Sequence, residues 1–179
     1  LARLREAISW VPQESFLFSA SIADNIALGK PDASREDVER VAKLAAVHDD
    51  IMRLPKAYDT LVGERGITLS GGQRQRVAIA RALLADGRLL LLDDALSAVD
   101  TGTEAQILEH LQELRREQSD RSVVIVSHRL SSVADADHII VLRQGRVIET
   151  GTHQSLIAQN GWYAGQWQYQ QLEESLDAL

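Results

Sequence analysis

The sequence predicts an α/β fold with a mainly parallel sheet, because short apolar stretches alternate with segments of helical periodicity. Two of these stretches, residues 88–92 and Ser122–Val126, are apolar almost throughout. Such runs are typical of strands covered on both faces of a parallel sheet. The segments 70–85 and 103–117 instead carry apolar residues at intervals of three and four, as amphipathic helices do.

Local signals place the remaining elements. Ser34 with Asp37 forms a capping-box pattern at the start of a helical region, and Gln144-Gly145 suits a hairpin turn. The other predicted elements are a strand at Ile8–Val11, a helical piece at 22–28, a helical region at 31–55, a loop at 58–68, hairpin strands at 139–142 and 147–149, and a helix from Gly161 onward. The helix-rich part between residues 31 and 85 indicates a subdomain, so we expect one domain with two lobes.

Length and composition are those of a globular protein. The chain has 179 residues, of which 45% are hydrophobic and 25% charged, and this argues against disorder. The net charge is -7 and the basic side chains are not gathered into a stripe, which argues against nucleic acid as a partner. The absence of cysteine excludes a disulfide framework and a thiolate metal cluster.

A serine followed by two glycines opens the predicted helix at 70–85. Ser70 suits the N-cap, and Gly71 and Gly72 leave backbone N–H groups uncovered at the positive end of the helix, which favours a phosphate site. The alternative is a helix start that happens to contain glycine. Each glycine costs about 1 kcal/mol relative to alanine within a helix, so the pair needs a reason, and a closely approaching ligand is one.

Polar residues follow three of the predicted strands. Asp93 and Asp94 end the strand at 88–92, His128 follows the strand ending at Val126, and Gln13 follows the first strand. Ligands of open α/β sheets bind beyond the carboxyl ends of the strands, and a carboxylate there can hold Mg²⁺ beside phosphates. Taken singly, each residue has a plainer alternative: a solvated acidic loop, a structural histidine, or an uninformative glutamine.

Together and in this order, these features resemble the nucleotide-binding domain of ATP-binding cassette (ABC) transporters. The matching segments are Leu69–Gln73 (signature motif), Leu89–Asp93 (Walker B), Ser97–Asp100 (D-loop), His128 (switch histidine) and Gln13 (Q-loop). The stretches 16–29 and 62–66 are similar to those of exporters. The segment 93–100 and the tail 161–173 resemble one half of bacterial heterodimeric multidrug-resistance-like (Mdl-type) exporters.

The resemblance implies a P-loop NTPase-like ABC ATPase domain that binds ATP and Mg²⁺. Its divisions here would be 1–30 (Q-loop part of the core), 31–85 (helical subdomain with the signature), 86–160 (core with Walker B, D-loop and switch histidine) and 161–179 (C-terminal helix). It implies that Asp93 and Gln13 hold Mg²⁺, that Asp94 acts on the attacking water and that His128 contacts the γ-phosphate. The residues implied to face a nucleotide across a dimer seam are Ser70, Gly71, Gly72, Gln73 and Asp100.

Two departures from the family limit this interpretation. The phosphate-binding pattern GxxxxGK[ST] does not occur, since the only Gly-Lys pair is Gly29-Lys30, followed by Pro31. We therefore expect an N-terminally truncated domain that does not bind ATP well by itself. Asp94 stands where the family usually has glutamate, and one methylene less retracts the carboxylate by roughly 1.5 Å. This implies a degenerate catalytic site.

The sequence is compatible with three functions. The first is the ATPase half of an exporter of small, hydrophobic or drug-like substrates at the cytoplasmic face of a bacterial inner membrane. Its expected partners are a second half-transporter, identical or different, and a transmembrane domain of the same chain. The second is a nucleotide-binding but catalytically silent partner subunit. The third, a soluble ABC ATPase of DNA repair or translation, is disfavoured because no long coiled coil or basic segment is visible.

Overall fold

The computed structural model describes residues 2–63, 67–117 and 120–177. Residues 64–66, part of the exporter-like stretch 62–66, lie outside this described part. The chain divides into two compact units, one up to Val126 and one from Ser127 onward. None of the helices in the described ranges has the length and apolar character that crossing a membrane requires. The domain boundaries at residues 30, 85 and 160 stay a prediction.

The first unit contains six helices and three strands in its described part. They are α1 (Ala2–Glu6), β1 (Ile8–Val11), α2 (Ile22–Ala27), α3 (Arg35–Leu44), α4 (His48–Met52), α5 (Gly71–Ala85), β2 (Leu89–Asp93), α6 (Thr101–Glu117) and β3 (Ser122–Val126), with a 3-10 turn at Ala57–Asp59. The second unit contains a 3-10 turn (Leu130–Val133), β4 (Ile139–Arg143), β5 (Arg146–Gly151), α7 (His153–Gln159) and α8 (Trp162–Asp177).

The sheet of the first unit is parallel, with β2 between β1 and β3. Val11 lies opposite Leu92, and Asp93 lies opposite Val126. The three strands therefore end at the same edge, where Gln13 and Asp94 follow β1 and β2. This confirms the predicted α/β fold with a parallel sheet.

The two faces of this sheet differ in burial. Val11 and Leu92 are fully buried on one face, where they belong to the same core as α5 and α6. On the other face Trp10, Leu91 and Val124 lie in register, and Trp10 and Val124 are 57% and 45% exposed. Within the described part of this chain, only one of the two sheet faces is therefore covered, and the expected cover of the other stays a prediction. An apolar run records that both faces are hydrophobic, whereas burial also depends on what packs against them.

The predicted helical region at 31–55 is two helices in the structure. The Ser34 hydroxyl accepts the Asp37 N–H at 3.1 Å, so the predicted capping box is confirmed. However, α3 ends at Leu44, and Ala46 has φ 52° before α4 begins at His48. A left-handed residue commonly ends a helix, but it is usually glycine, so the sequence carries no signal for this break.

Helix α5 is anchored to α2 through a partly buried polar contact. Arg81 donates from Nε to the Asn25 carbonyl at 2.7 Å and from Nη2 to the Asn25 side-chain oxygen at 3.1 Å. A Cβ atom at Gly29, just after α2, would collide with the Arg81 carbonyl oxygen. The two helices therefore approach closely, and this fixes the position of α5 in the first unit.

The second unit is organised around the β4–β5 hairpin and α8. Gln144 and Gly145 form its turn with φ 50° and 72°, as the sequence predicts. Glu149 on β5 accepts the N–H groups of Trp162 and Tyr163 at 2.6 and 2.9 Å. A carboxylate at a helix N-terminus is stabilising, so the start of α8 is tied to the hairpin. The fully buried ring of Tyr163 adds to this anchor.

The two faces of the first unit's sheet predict opposite responses to truncation. Leu92→Ala should lower the free energy of unfolding by about 2–5 kcal/mol, because it leaves a cavity in the core. Val124→Ala, on the open face, should cost less than about 1 kcal/mol. Chemical denaturation of the chain measures both values, and equal losses would show that both faces are packed alike.

Candidate functional site

The first turn of α5 contains two backbone N–H groups that could bind a ligand. Ser70 caps the helix, since its hydroxyl accepts the Gln73 N–H at 3.1 Å and the Gln73 side-chain oxygen accepts the Ser70 N–H at 3.0 Å. The amides of the first turn have no intrahelical acceptor. The Gln73 N–H already donates to the Ser70 hydroxyl. The amides that remain for a ligand are therefore those of Gly71 and Gly72, and both residues are partly exposed.

The two glycines are present for different reasons. A Cβ atom at Gly72 would lie 2.7 Å from the Ala98 carbonyl oxygen, so packing within the chain already requires glycine there. At Gly71 the nearest atom would be the Ala98 Cβ at 3.4 Å, an ordinary contact. Packing against Ala98 therefore explains the glycine at Gly72 without a ligand, and ligand binding by its N–H group stays a prediction. Packing against Ala98 does not explain Gly71, and the ligand argument applies to this residue.

Gln75 joins α5 to the segment that follows β2, and the sequence analysis missed it. Its Nε2 donates to the Ser97 hydroxyl at 3.1 Å, and its Oε1 accepts the Ala98 N–H at 2.9 Å. Only 5% of Gln75 is exposed. It lies on the buried stripe of α5 together with Ala78 and Ala82, so a polar residue at an apolar spacing was the available signal.

Arg76 also holds the first turn of α5 in place. Its guanidinium forms an ion pair with Asp50 of α4 at 2.7 Å, while Nε donates to the Gly72 carbonyl at 3.3 Å. It also donates to the carbonyl of Ala46. The Arg76 side chain is 13% exposed, and charge-assisted hydrogen bonds of this kind are strong. The glycine-containing turn is thus held in place before any ligand arrives.

Two residues predicted from separate strands meet at the edge of the sheet. Gln13 donates from Nε2 to Asp94 Oδ2 at 3.3 Å. Asp94 has φ 49°, and its N–H continues the ladder to the Val126 carbonyl at 2.8 Å. The Ser97 hydroxyl donates to the Asp94 carbonyl at 2.9 Å. Left-handed backbone at a residue other than glycine costs about 1–3 kcal/mol and is concentrated at functional sites.

The donor atoms at this edge suit Mg²⁺ bound together with phosphate. In the described ranges, histidine, cysteine and carboxylate side chains form no cluster of three that could hold a metal by themselves. Asp93 ends β2, and the Gln13 amide contacts the carboxylate of the next residue, Asp94. Mg²⁺ commonly uses one or two carboxylates and completes its shell with phosphates and water, so these residues fit that ion.

Asp100 caps the helix that follows it, α6. Its Oδ1 accepts the Thr103 N–H at 2.9 Å. This hydrogen bond from the Thr103 backbone lowers the pKa of the Asp100 carboxyl below its ordinary value. Asp100 is exposed, so the carboxylate that caps α6 is also accessible to a second molecule.

His128 belongs to the second unit and is exposed. Its carbonyl oxygen accepts a hydrogen bond from Gln170 at 2.8 Å. That His128 acts together with Asp93 stays a prediction.

The Gly72 contact predicts a loss of stability that needs no ligand. Gly72→Ala should lower the free energy of unfolding by about 1–3 kcal/mol, because the new methyl group overlaps Ala98. The matched control is Gly102→Ala in α6, where the nearest atom to a Cβ is a flexible Asp100 oxygen at 3.5 Å. This control should leave stability unchanged or raise it by up to about 1 kcal/mol. Denaturation in nucleotide-free buffer tests both, and an unaffected Gly72→Ala variant would refute the packing role.

Comparisons with known proteins find relatives of this chain among ABC transporters. A family model described as ABC transporter matches residues 1–97. The chain is 53% identical over 173 residues to the multidrug resistance-like ATP-binding protein MdlA of Escherichia coli, covering 97% of this chain and 29% of the relative. It is 50% identical over 175 residues to the ATP-dependent lipid A-core flippase of Chromohalobacter salexigens, covering 97% of this chain and 30% of that protein.

A solved structure, a bacterial Atm1-family ABC exporter with ATP bound, is similar to the chain with a TM-score of 0.87 and 48% identity. The match covers 94% of this chain and 29% of that one. The chain therefore spans less than a third of the length of these relatives.

Proposed function

Because the chain belongs to the ABC transporter family, whose model matches 97 of its 179 residues, we propose that it is an ATP-binding part of a membrane exporter. The observation that carries this proposal is the first turn of α5, whose amides at Gly71 and Gly72 are held in place by Gln75 and Arg76. A fixed, positively polarised helix end suits the terminal phosphate of ATP.

In this proposal the first turn of α5 binds a nucleotide held by a second chain. The Ser70 hydroxyl accepts from Gln73, so its own hydrogen is left to donate to a phosphate oxygen. The Gln73 side-chain oxygen is likewise occupied, which leaves its NH₂ group as a donor. Together with the amides of Gly71 and Gly72, these groups supply donors and no carboxylate, as an anion requires. The exposed carboxylate of Asp100 would contact the second chain beside them.

The sheet edge would bind a different nucleotide, held by this chain. Asp93 and Gln13 would bind Mg²⁺, which neutralises phosphate charge, and His128 would contact the γ-phosphate. Positioning and charge stabilisation supply most of the catalysis in phosphoryl transfer. Asp94 is a poor base in this proposal, because its side chain is one methylene shorter than the glutamate usual in the family. Misplacing a catalytic group by about 1 Å can cost on the order of 10²-fold in rate.

The two nucleotide sites in this proposal would therefore differ in their ability to hydrolyse ATP. The degenerate site is the one that contains Asp94, while the intact turn at Ser70–Gln73 completes a competent site on a partner. A catalytically silent partner subunit is the second candidate. The hydrogen bond from Gln13 to Asp94 favours it, because the carboxylate already has a partner within the chain.

An exporter requires partners in addition to an ATP-binding part. We propose a second ABC half-transporter, identical or different, and a transmembrane domain in the same polypeptide, at the cytoplasmic face of a bacterial inner membrane. The substrate class is small and hydrophobic or drug-like, as the multidrug-resistance-like relative suggests. Phe16 and Phe18 support a docking surface for the membrane helices, since both are exposed and their rings are in edge contact at 5.0 Å.

The asymmetry can be tested by ATP turnover of the full-length exporter with its partner. Gly71→Asp places a carboxylate where the phosphate would bind and should reduce turnover about 10²-fold, as the loss of oxyanion donors does elsewhere. Asp94→Asn should change turnover little, because the competent site is on the partner. Gly102→Asp, at the exposed start of α6, controls for the added charge.

The reverse pattern would contradict the proposal. Abolished turnover in Asp94→Asn together with intact turnover in Gly71→Asp would make the site at Asp94 the competent one. Assay of the homodimer beside the mixed complex separates an active half from a silent partner.

A further inference from the structure

The segment around His128 has irregular backbone and needs partners for its polar groups. Residues 127–129 lie between β3 and the 3-10 turn at Leu130–Val133. The Ser127 hydroxyl accepts the Arg129 N–H at 3.0 Å, which fixes one part of the segment. Backbone N–H and C=O groups outside helices and strands require other hydrogen bonds, and two of these are supplied here from far along the chain.

A single amide on α8 binds both sides of Arg129. Gln170 donates from Nε2 to the His128 carbonyl at 2.8 Å, and its Oε1 accepts the Leu130 N–H at 2.8 Å. Both amide ends are therefore used at good hydrogen-bond distances. The contact spans 40 and 42 residues in sequence, so it belongs to the tertiary structure of the second unit and not to a local turn.

The helix that carries Gln170 is itself well anchored. Tyr163 is seven residues earlier, two turns back along the same face, and it is fully buried. Leu130 belongs to the same small core as Tyr163. The start of α8 is further tied to Glu149. The position of Gln170 is therefore set by the core of the unit, and the backbone at His128 follows it.

We propose that Gln170 is a positioning residue that orients His128 toward the terminal phosphate. This inference rests on the proposed function, in which His128 contacts the γ-phosphate. Without the amide, the His128 carbonyl and the Leu130 N–H would turn to water, and the segment would gain conformational freedom. The imidazole would then be presented to the phosphate for a smaller fraction of the time.

The test exploits the fact that only ATP has the phosphate that His128 would contact. The experiment uses the full-length exporter with its partner, at low temperature and with Mg²⁺. It measures the half-saturating concentrations at which photoreactive azido-ATP and azido-ADP label this subunit. His128→Ala should raise the half-saturating concentration of azido-ATP about tenfold, the loss expected for one hydrogen bond to a charged group. Azido-ADP should be unaffected.

Substitution of Gln170 should cause the same selective loss of azido-ATP binding, because it changes the position of His128. Gln170→Ala should weaken azido-ATP labelling several-fold and leave azido-ADP within about a factor of two, since a positioning residue acts on one contact only. Gln170→Glu keeps the size and the acceptor but loses the donor to the His128 carbonyl, so it should behave similarly. The control is Gln171→Ala, because the Gln171 amide donates to Glu174 on its own helix at 3.1 Å. It should change neither value.

The double variant decides whether Gln170 acts through His128. Gln170→Ala in the His128→Ala background should cause no further loss of azido-ATP. Losses that multiply, or an equal loss of azido-ADP, would mean a general structural role and overturn the inference. A normal Gln170→Ala protein beside a defective His128→Ala protein would overturn this inference alone. A normal His128→Ala protein would overturn the assigned role of His128 as well.

Discussion

The packing of the first turn of α5 against Ala98 is the constraint on which the rest of the site depends. Gly72 allows the Ala98 carbonyl to approach to a distance that a side chain would block. Gln75 then binds the same segment through both ends of its amide. The turn whose amides are proposed to bind a ligand therefore packs against the segment that continues from the sheet edge.

This contact has a mechanical consequence for the proposed exporter. Gln75 binds Ser97, and Ser97 in turn donates to the carbonyl of Asp94. Two hydrogen bonds thus connect α5, which is proposed to face one nucleotide, with the backbone of Asp94, which is proposed to lie beside another. A displacement of α5 on nucleotide binding would be transmitted to the left-handed backbone of Asp94. Within the first unit, Gln75 and Ser97 therefore form a continuous hydrogen-bonded connection between α5 and Asp94.

The sequence predicts those features whose causes are local. The strands Ile8–Val11 and Ser122–Val126 have the predicted bounds, and the caps at Ser34 and Ser70 form as their patterns indicate. The helix break at Ala46 escaped prediction because alanine gives no signal for left-handed backbone. The helices α1 and α7 were also missed, both of them being short.

The contacts that position the site could not be read from local patterns. Gln75 reaches Ser97 and Ala98 across 22 and 23 residues, and Gln170 reaches Leu130 across 40.

The most direct test of the account is a structure of the full-length protein with its partner, trapped with ATP and Mg²⁺. The account predicts that the N–H groups of Gly71 and Gly72 lie about 3 Å from oxygens of the terminal phosphate. Amides that face solvent, with the nucleotide elsewhere, would contradict it.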